Sequence, residues 1–327
     1  MADKKWLKGD THLHTTCSDG VLTFEELVAA CKKRGLDWMI VTDHNHYTAD
    51  KAFYHEGMLV IPGEEYTGGE GHVNIWGSGL PPLPEGRPER YEQYVEVCKK
   101  AKEVGATVSV NHPFCKKCGW HMELEDFDMD CVEVWNAPMH IDNMTNLEWW
   151  HSQLLKGRRI AAVGGSDYHR DYVVTHLIAC PTTYVYVSEN TEEAVLEALR
   201  KGNSFVTNSP RTTQLYLSCG SAVMGDEVAW RDGITATLKA LKLKKNHTVR
   251  VWNNNELIYE FKAKRKCTHT AEFEVPHKGF IRAEVLYSYG RAGKALYGKG
   301  VSKIMPLDAG LEIPAFAHCF TNPVYFI

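Results

Sequence analysis

Along the first half of this chain, short apolar runs repeatedly end in residues that can bind metals. The run Trp38 to Val41 leads into Thr42-Asp43-His44, and Met58 to Ile61 leads into Pro62-Gly63-Glu64-Glu65. Ala106 to Val110 closes on Asn111-His112-Pro113, and Ile160 to Val163 is followed by Gly165-Ser166-Asp167-Tyr168-His169. His72 opens a further run, Val73 to Trp76. Near the start, Thr11-His12-Leu13-His14 is followed by Asp19. Residues two apart on a strand point to one face, so His12 and His14 reach a common site while Leu13 turns away. Independent surface histidines would have no reason to keep this phase. Barrels of alternating strands and helices gather catalytic groups at the C-terminal ends of several strands, and the pattern fits that plan.

The intervening segments read as helices. Thr23-Phe24-Glu25-Glu26 is a capping box that opens an apolar face of Phe24, Leu27, Val28 and Cys31, with Gly35 as its stop. Pro88 to Val104 is a second helix ended by Gly105, and Asn143 to Leu155 a third. Asn190 to Arg200 is a fourth, with Asn190 and Glu193 spaced as cap and box partner. Strands alternating with helices give an α/β class with a mostly parallel sheet. Pattern alone leaves a closed barrel and an open sheet equally open.

The character changes after Gly202. Short alternating runs follow, from Leu215 to Ser218 through to Phe280 to Tyr287, separated by turns such as Asn253-Asn254-Asn255 and His277-Lys278-Gly279. This is the signature of a small antiparallel sandwich. Its histidines, His247, His269, His277 and His318, have no metal spacing. It reads as an accessory domain that covers part of the site or forms a homodimer contact. Phe316, Phe320, Tyr325 and Phe326 are expected to dock the tail.

A hydrophobic content of 44% over 327 residues is enough for real cores and excludes a disordered chain. A net charge of −4 gives no electrostatic footprint for nucleic acid. Met1-Ala2-Asp3-Lys4-Lys5 lacks the apolar segment of a secretory signal, and no run is long enough to span a membrane. The expectation is a cytoplasmic protein with no membrane partner.

Taken in order, His12-Leu13-His14, Ser18-Asp19-Gly20, Thr42-Asp43-His44-Asn45, Pro62-Gly63-Glu64-Glu65, Asn111-His112-Pro113 and Gly165-Ser166-Asp167-Tyr168-His169 resemble the PHP (polymerase and histidinol phosphatase) superfamily. The segment Glu64 to Asn74 and the late Thr321-Asn322-Pro323 resemble the branch named after the carbaryl hydrolases. The resemblance implies a distorted (βα)7 barrel holding two or three divalent ions, manganese, iron or zinc. It implies a hydrolase domain over 1–203 and a β-rich accessory domain, sandwich-like, over 204–327. Position by position, it puts His12, His14, Glu65 and Asp167 on a first ion. Glu65 would bridge to a second ion with His72 and His112, and Asp19, His44 and His169 would hold a third.

Paired cations lower the pKa of a water between them and neutralise an anionic substrate, so Glu65 and Asp167 count as catalytic as well as ligating. The leading expectation is a phosphoesterase in which a metal-bridging hydroxide attacks a small phosphomonoester or phosphodiester. Hydrolysis of a carbonyl ester, carbamate or amide is the rival. A metal-binding module without catalysis is a third reading. His46 and Tyr168 lie beside ligands and are candidate general acids. Lys116, Lys117 and Arg170 sit on ligand-side loops and are candidates for gripping a small anionic substrate. Cys115-x-x-Cys118 reads as a pair of reduced loop thiols, with an extra metal or a reactive thiol pair as alternatives. The other eight cysteines are scattered, several within apolar runs, and those read as small core residues of a reducing compartment.

Overall fold

The computed structural model describes residues 4–137, 141–171, 177–301 and 315–327. Met1, Ala2 and Asp3, used above in reading the N-terminus, lie outside the described residues. The first half contains β1 (Lys5–Asp10), α1 (Phe24–Arg34), β2 (Trp38–Val41), β3 (Phe53–His55), β4 (Met58–Thr67) and β5 (His72–Trp76). It continues through α2 (Tyr91–Glu103), β6 (Thr107–Val110), β7 (Cys131–Asn136), α3 (Asp142–Leu155), β8 (Ala161–Gly165), β9 (Thr182–Val187), α4 (Glu192–Lys201) and β10 (Ser204–Thr207).

Local chemistry sets the helix ends. At α1 the Thr23 hydroxyl accepts from Glu26 N–H while the Glu26 carboxylate accepts from Thr23 N–H, and Gly35 closes the helix at φ 77°. Such a cap is worth about 1 kcal/mol. At α4 the cap is Thr191, not Asn190. The Thr191 hydroxyl accepts from Ala194 N–H, while the Asn190 amide donates to the Asp37 carbonyl at 2.8 Å. Two cap-competent residues stand in tandem there, and a long-range partner claims the first. α2 starts at Tyr91, later than Pro88, because the Gln93 side chain accepts from the N–H groups of Glu89 and Arg90.

The strands lie in the order β9-β1-β2-β4-β5-β6-β7-β8. β1, β2 and β4 run parallel, as do β6, β7 and β8, whereas β5 is antiparallel to both its neighbours. Here the expected alternation of strand and helix breaks. Residues 68–71 are too few for a crossover, so β4 and β5 form a hairpin. Only four helices accompany these strands among the described residues, fewer than seven strand-helix units require. β4 is also longer than its apolar run suggests, so Glu64 and Glu65 lie inside the strand rather than beyond it.

The sheet curls until β8 meets the other end. Its outer edge is satisfied by side chains rather than by a full ladder. Asn322 accepts from Ala162 N–H at 2.7 Å and donates to Ala162 C=O at 2.8 Å. Thr183 does the same for Gly164 at 3.0 and 2.8 Å. Just past the strands, a parallel bridge joins Leu13 to Tyr168, with His14 N–H donating to the Tyr168 carbonyl. Polar edge groups buried at a seam need such partners.

The second half holds β11 (Gln214–Cys219), β12 (Ala222–Val223), β13 (Glu227–Val228), β14 (Thr235–Leu243), β15 (His247–Asn253), β16 (Glu256–Lys262), β17 (Cys267–Glu274) and β18 (Gly279–Tyr287). It ends with α5 (Arg291–Val301), β19 (Phe316–Thr321) and β20 (Val324–Phe326). β12, β11, β14 and β17 form a separate sheet. Its inward residues, such as Leu215, Leu217 and Leu238, share one core with Val249, Val251, Ile281 and Ala283. Pairing is antiparallel except between β13 and β20. β10 pairs with β9 on one side and β19 on the other, so the large sheet runs on into this half. Phe316 and Phe320 therefore do more than dock a tail. They belong to an internal strand, and Phe320 lies against Trp135 and Trp150. Among the described residues no helix is long and apolar enough to cross a membrane.

Candidate metal centre

All nine residues proposed as ligands meet at one rim of the curled sheet. His12 and His14 follow β1, and His44 follows β2. Glu65 comes from β4, His112 follows β6, and Asp167 and His169 follow β8. His72 opens β5, which runs the other way, and it pairs with Thr67 at the far end of β4. The hairpin thus delivers His72 to the same rim. Glu65 is central: its oxygens lie 3.3 Å from His12 Nε2, 3.6 Å from His14 Nε2, 2.8 Å from His44 Nδ1, 3.0 Å from His72 Nδ1 and 3.4 Å from His112 Nε2. Asp167 Oδ1 lies 3.4 Å from His12 Nε2 and 3.2 Å from His14 Nε2. Asp19, half exposed on its loop, lies 3.6 Å from His44 and 3.0 Å from His169.

A surrounding set of partners aims these groups, and motif reading missed most of it. Glu133, buried on β7, accepts from His12 Nδ1 at 2.9 Å, which leaves Nε2 turned to the cluster. The same carboxylate takes His112 N–H and the Asn136 amide, and that amide also reaches Asp167 at 3.2 Å. Asn111 donates to Glu65 at 2.8 Å. His44 Nδ1 is 2.8 Å from the Thr67 hydroxyl, and His169 Nδ1 is 2.9 Å from the Asp167 carbonyl. Asp43 is not among the clustered donors: it accepts from Thr15, Ser18 and Thr48 and so pins the loop that carries Asp19. Asp10 ties the end of β1 to Ser166 and to Ala179 N–H. Glu133 sits inside the apolar run of β7, and a lone buried acid in such a run was the available signal.

The backbone is bent to fit. His112 has φ 29° and Asp167 φ 50°, left-handed values that cost side-chain-bearing residues energy and cluster at functional sites. Gly165 is required by contact: a Cβ there would lie 2.4 Å from His12 Cβ and 2.6 Å from Glu133 Oε1.

Electrostatics couples the buried carboxylates and imidazoles of the cluster. Burial would raise the Glu65 and Asp167 carboxyls, but the surrounding histidines outweigh it and hold both well below the usual range. Burial would lower His12, but Asp167, Glu133 and Glu65 hold it well above its ordinary value. His112 is likewise pushed up to about 9, burial being outweighed chiefly by Glu65 and Glu133, whereas burial takes His14 down to about 4. His12 Nε2, His14 Nε2 and His112 Nδ1 are nevertheless buried without a hydrogen-bond partner among the described residues. Buried polar atoms are rarely left so, and cations between them would satisfy most of these atoms at once. The donors fit: ligand atoms of His14, Asp19, His44 and His169, of His12, His14 and Glu65, and of His44, Glu65 and His72 lie within 4.8 Å of one another in each group. Imidazole and carboxylate together suit manganese, iron or zinc.

A cavity of about 730 Å³ opens beside Asp19 and His44. Its walls include His46, Tyr47, Glu64, Arg87 and the stiff run Leu80 to Pro84. His46 therefore faces this cavity. Tyr168 does not: its ring is buried among Leu13, Leu27 and Ile178, away from the cluster. The bridge to Leu13 explains this, because Tyr168 is paired beside Leu13 and shares its apolar core. Lys116, Lys117 and Arg170 are exposed, and the cavity lining does not include them. Arg34 and Arg158 donate to the carbonyls of Ile178 and Phe127.

Residues 10–157 match the PHP domain family. An uncharacterized protein of Methanocaldococcus jannaschii is 30% identical over 165 residues, covering 43% of this chain and 87% of that protein. The DNA polymerase/3'-5' exonuclease PolX of Bacillus subtilis is 46% identical over 41 residues, 12% of this chain and 7% of that enzyme, so the chain spans only a small part of it. A two-domain protein from Bacteroides vulgatus, described as containing a predicted PHP-like metal-dependent phosphoesterase, superposes with a TM-score of 0.52 at 20% identity. The superposition covers 86% of this chain and 90% of that one, a likeness of fold across both halves.

Proposed function

The chain belongs to the PHP domain family, and from that premise we propose that it is a metal-dependent phosphoesterase acting on a small phosphomonoester or phosphodiester. The observation that carries this reading is the convergence of six imidazoles and three carboxylates on buried donor atoms that lack partners. Bound there, two or three divalent ions would supply an activated water near neutral pH and stabilise charge on the transferring group. We assign His12, His14, Glu65 and Asp167 to one ion, Glu65 with His72 and His112 to a second, and Asp19, His44 and His169 to a third. Glu133 and Asn111 hold His12 and Glu65 in register, and Asn136 holds Asp167. The three ligand carboxylates carry less charge than even two divalent ions bring, which favours an anionic substrate. His46, on the cavity wall, is our candidate to protonate the leaving group. We read residues 1–203 as the hydrolase domain, a distorted relative of a seven-unit strand-helix barrel, and 204–327 as its accessory.

A second reading is hydrolysis of a carbonyl ester, carbamate or amide, as the sequence likeness to the branch named after the carbaryl hydrolases suggests. One observation favours it: the cavity is walled largely by Leu80, Pro81, Pro82, Leu83 and Pro84, with Arg87 as the one Lys or Arg of its lining. Hydrolysis of bis-p-nitrophenyl phosphate by metal-stripped protein reloaded with manganese tests the first reading. Manganese-dependent turnover, inhibited by inorganic phosphate or vanadate, is expected. Turnover of aryl carbamates by metal-loaded protein that leaves phosphate esters untouched would replace it with the second.

A further inference from the structure

Cys115 and Cys118 lie on the loop that follows His112, on the flank of the cluster. Their Sγ atoms are 2.9 Å apart, and both thiols are free. Ligand atoms of His112, Cys115 and Cys118 all fall within 4.8 Å of one another. The loop is built as a tight knuckle. Cys115 N–H donates to the His112 carbonyl at 2.9 Å, and Trp120 N–H to the Pro113 carbonyl at 2.8 Å. The N–H groups of Lys117 and Cys118 are directed at Cys115 Sγ. Gly119 is needed for the turn, since a Cβ there would sit 2.4 Å from the Cys115 carbonyl. Phe114 N–H and Lys116 N–H are held by Asn146 and Asp142 of α3, so the knuckle is fixed to the body of the domain.

The independent observation is on His112. Its ring is buried, its Nε2 faces Glu65 at 3.4 Å, and its Nδ1 has no partner among the described residues. A ligating histidine ordinarily donates its second nitrogen to a carboxylate, a carbonyl or water. One nitrogen of that ring lies within 4.8 Å of both sulfurs. We propose that Cys115, Cys118 and the His112 imidazole form a further metal site, for a thiophilic divalent ion of the zinc class, with His112 shared between this site and the imidazole-carboxylate cluster. Two thiolates and one imidazole leave a fourth position open, the ligand count of catalytic rather than structural zinc. The donor set is softer than that of the cluster, so the two sites differ in metal preference. Sulfurs on one tetrahedral zinc lie about 3.7 Å apart, so binding would part the pair slightly. The inference does not depend on which ester the protein cleaves.

The test uses the full chain, kept reduced, with its thiols counted. Wild type should retain one zinc more per chain than the Cys115→Ser/Cys118→Ser variant. Cobalt-loaded wild type should show a near-ultraviolet thiolate-to-cobalt charge-transfer band. That band should vanish in the double serine variant and persist in His14→Ala, which damages only the cluster. Equal zinc in wild type and double variant, with no band while both thiols titrate, would overturn the site. So would a band that disappears in His14→Ala, since the thiols would then serve an ion of the cluster. If the double variant does not fold, wild type alone decides: a thiol-blocking mercurial should release one zinc, and release of none would overturn the proposal.

Discussion

Two groups of buried histidines in this molecule have opposite surroundings. At the rim, His12 and His112 face Glu65, with Glu133 and Asp167 close by, and are held charged-prone. In the strand-rich half, His247 and His318 lie 4.8 Å apart ring to ring, with Lys244 as their nearby charge. Burial first, and then those positive neighbours, take His247 down to about 4 and His318 to about 3. Neither ring nitrogen of His318 has a partner among the described residues. Burial and an orphaned nitrogen by themselves therefore do not distinguish a ligand from a core residue; other ligand atoms converging on the same point are needed as well. Converging carboxylates make the distinction, because they supply both the metal's other ligands and the charge that calls for a cation.

Removing a carboxylate at the rim should have the largest effect. Asp167→Ala is expected to cut metal-dependent turnover on the order of a hundredfold to a thousandfold while circular dichroism stays native. Unchanged kcat would break the contrast at once. Next comes Glu133→Gln, which removes charge from the group that aims His12. Metal affinity should fall roughly 10- to 100-fold, read by competition with a chromophoric chelator. Equal affinity would mean that Glu133 merely fills space. Gly165→Ala should cost about 1–3 kcal/mol in denaturant unfolding and also weaken metal binding, because the new methyl meets His12 and Glu133.

The rim was legible because its metal-competent side chains sit at fixed phase on apolar runs. His12, His44, His112 and Asp167 could be read from strand ends alone, and the capping box at Thr23 gave α1 to the residue. Other features were decided by groups far away in sequence. Nothing local shows that Asn190 is taken by Asp37, or that Asn322 would seal the edge of β8 at Ala162. The β4–β5 hairpin was hidden because the apolar run stops at Ile61 while the ladder continues through the charged pair Glu64-Glu65 to Thr67. Tyr168 looked like an acid because it adjoins Asp167, but its pairing with Leu13 puts its ring into the apolar core.

The strand-rich histidines sharpen the comparison through pH. Their folded-state pKa values lie below the ordinary value of about 6.5, so protonation favours the unfolded chain. Their stabilising contribution is complete above that value and is lost as pH falls from about 6.5 toward 4, by up to about 1.4 kcal/mol per pH unit for each imidazole. The fall in Tm between pH 7 and pH 5 should shrink in His318→Phe, and an unchanged fall would show that other groups set the acid limb. The smallest effects are expected at Lys117→Ala and Arg170→Ala. Both side chains are exposed and outside the cavity lining, so KM should move only a few-fold. A larger rise in KM for both would bring the substrate to these loops.

The most direct test counts manganese per chain by mass spectrometry after loading and gel filtration, in wild type, His14→Ala and His318→Phe, with phosphodiester turnover measured on the same samples. The account predicts that His14→Ala loses both metal and turnover while His318→Phe keeps both. Wild-type metal and turnover in His14→Ala would contradict it.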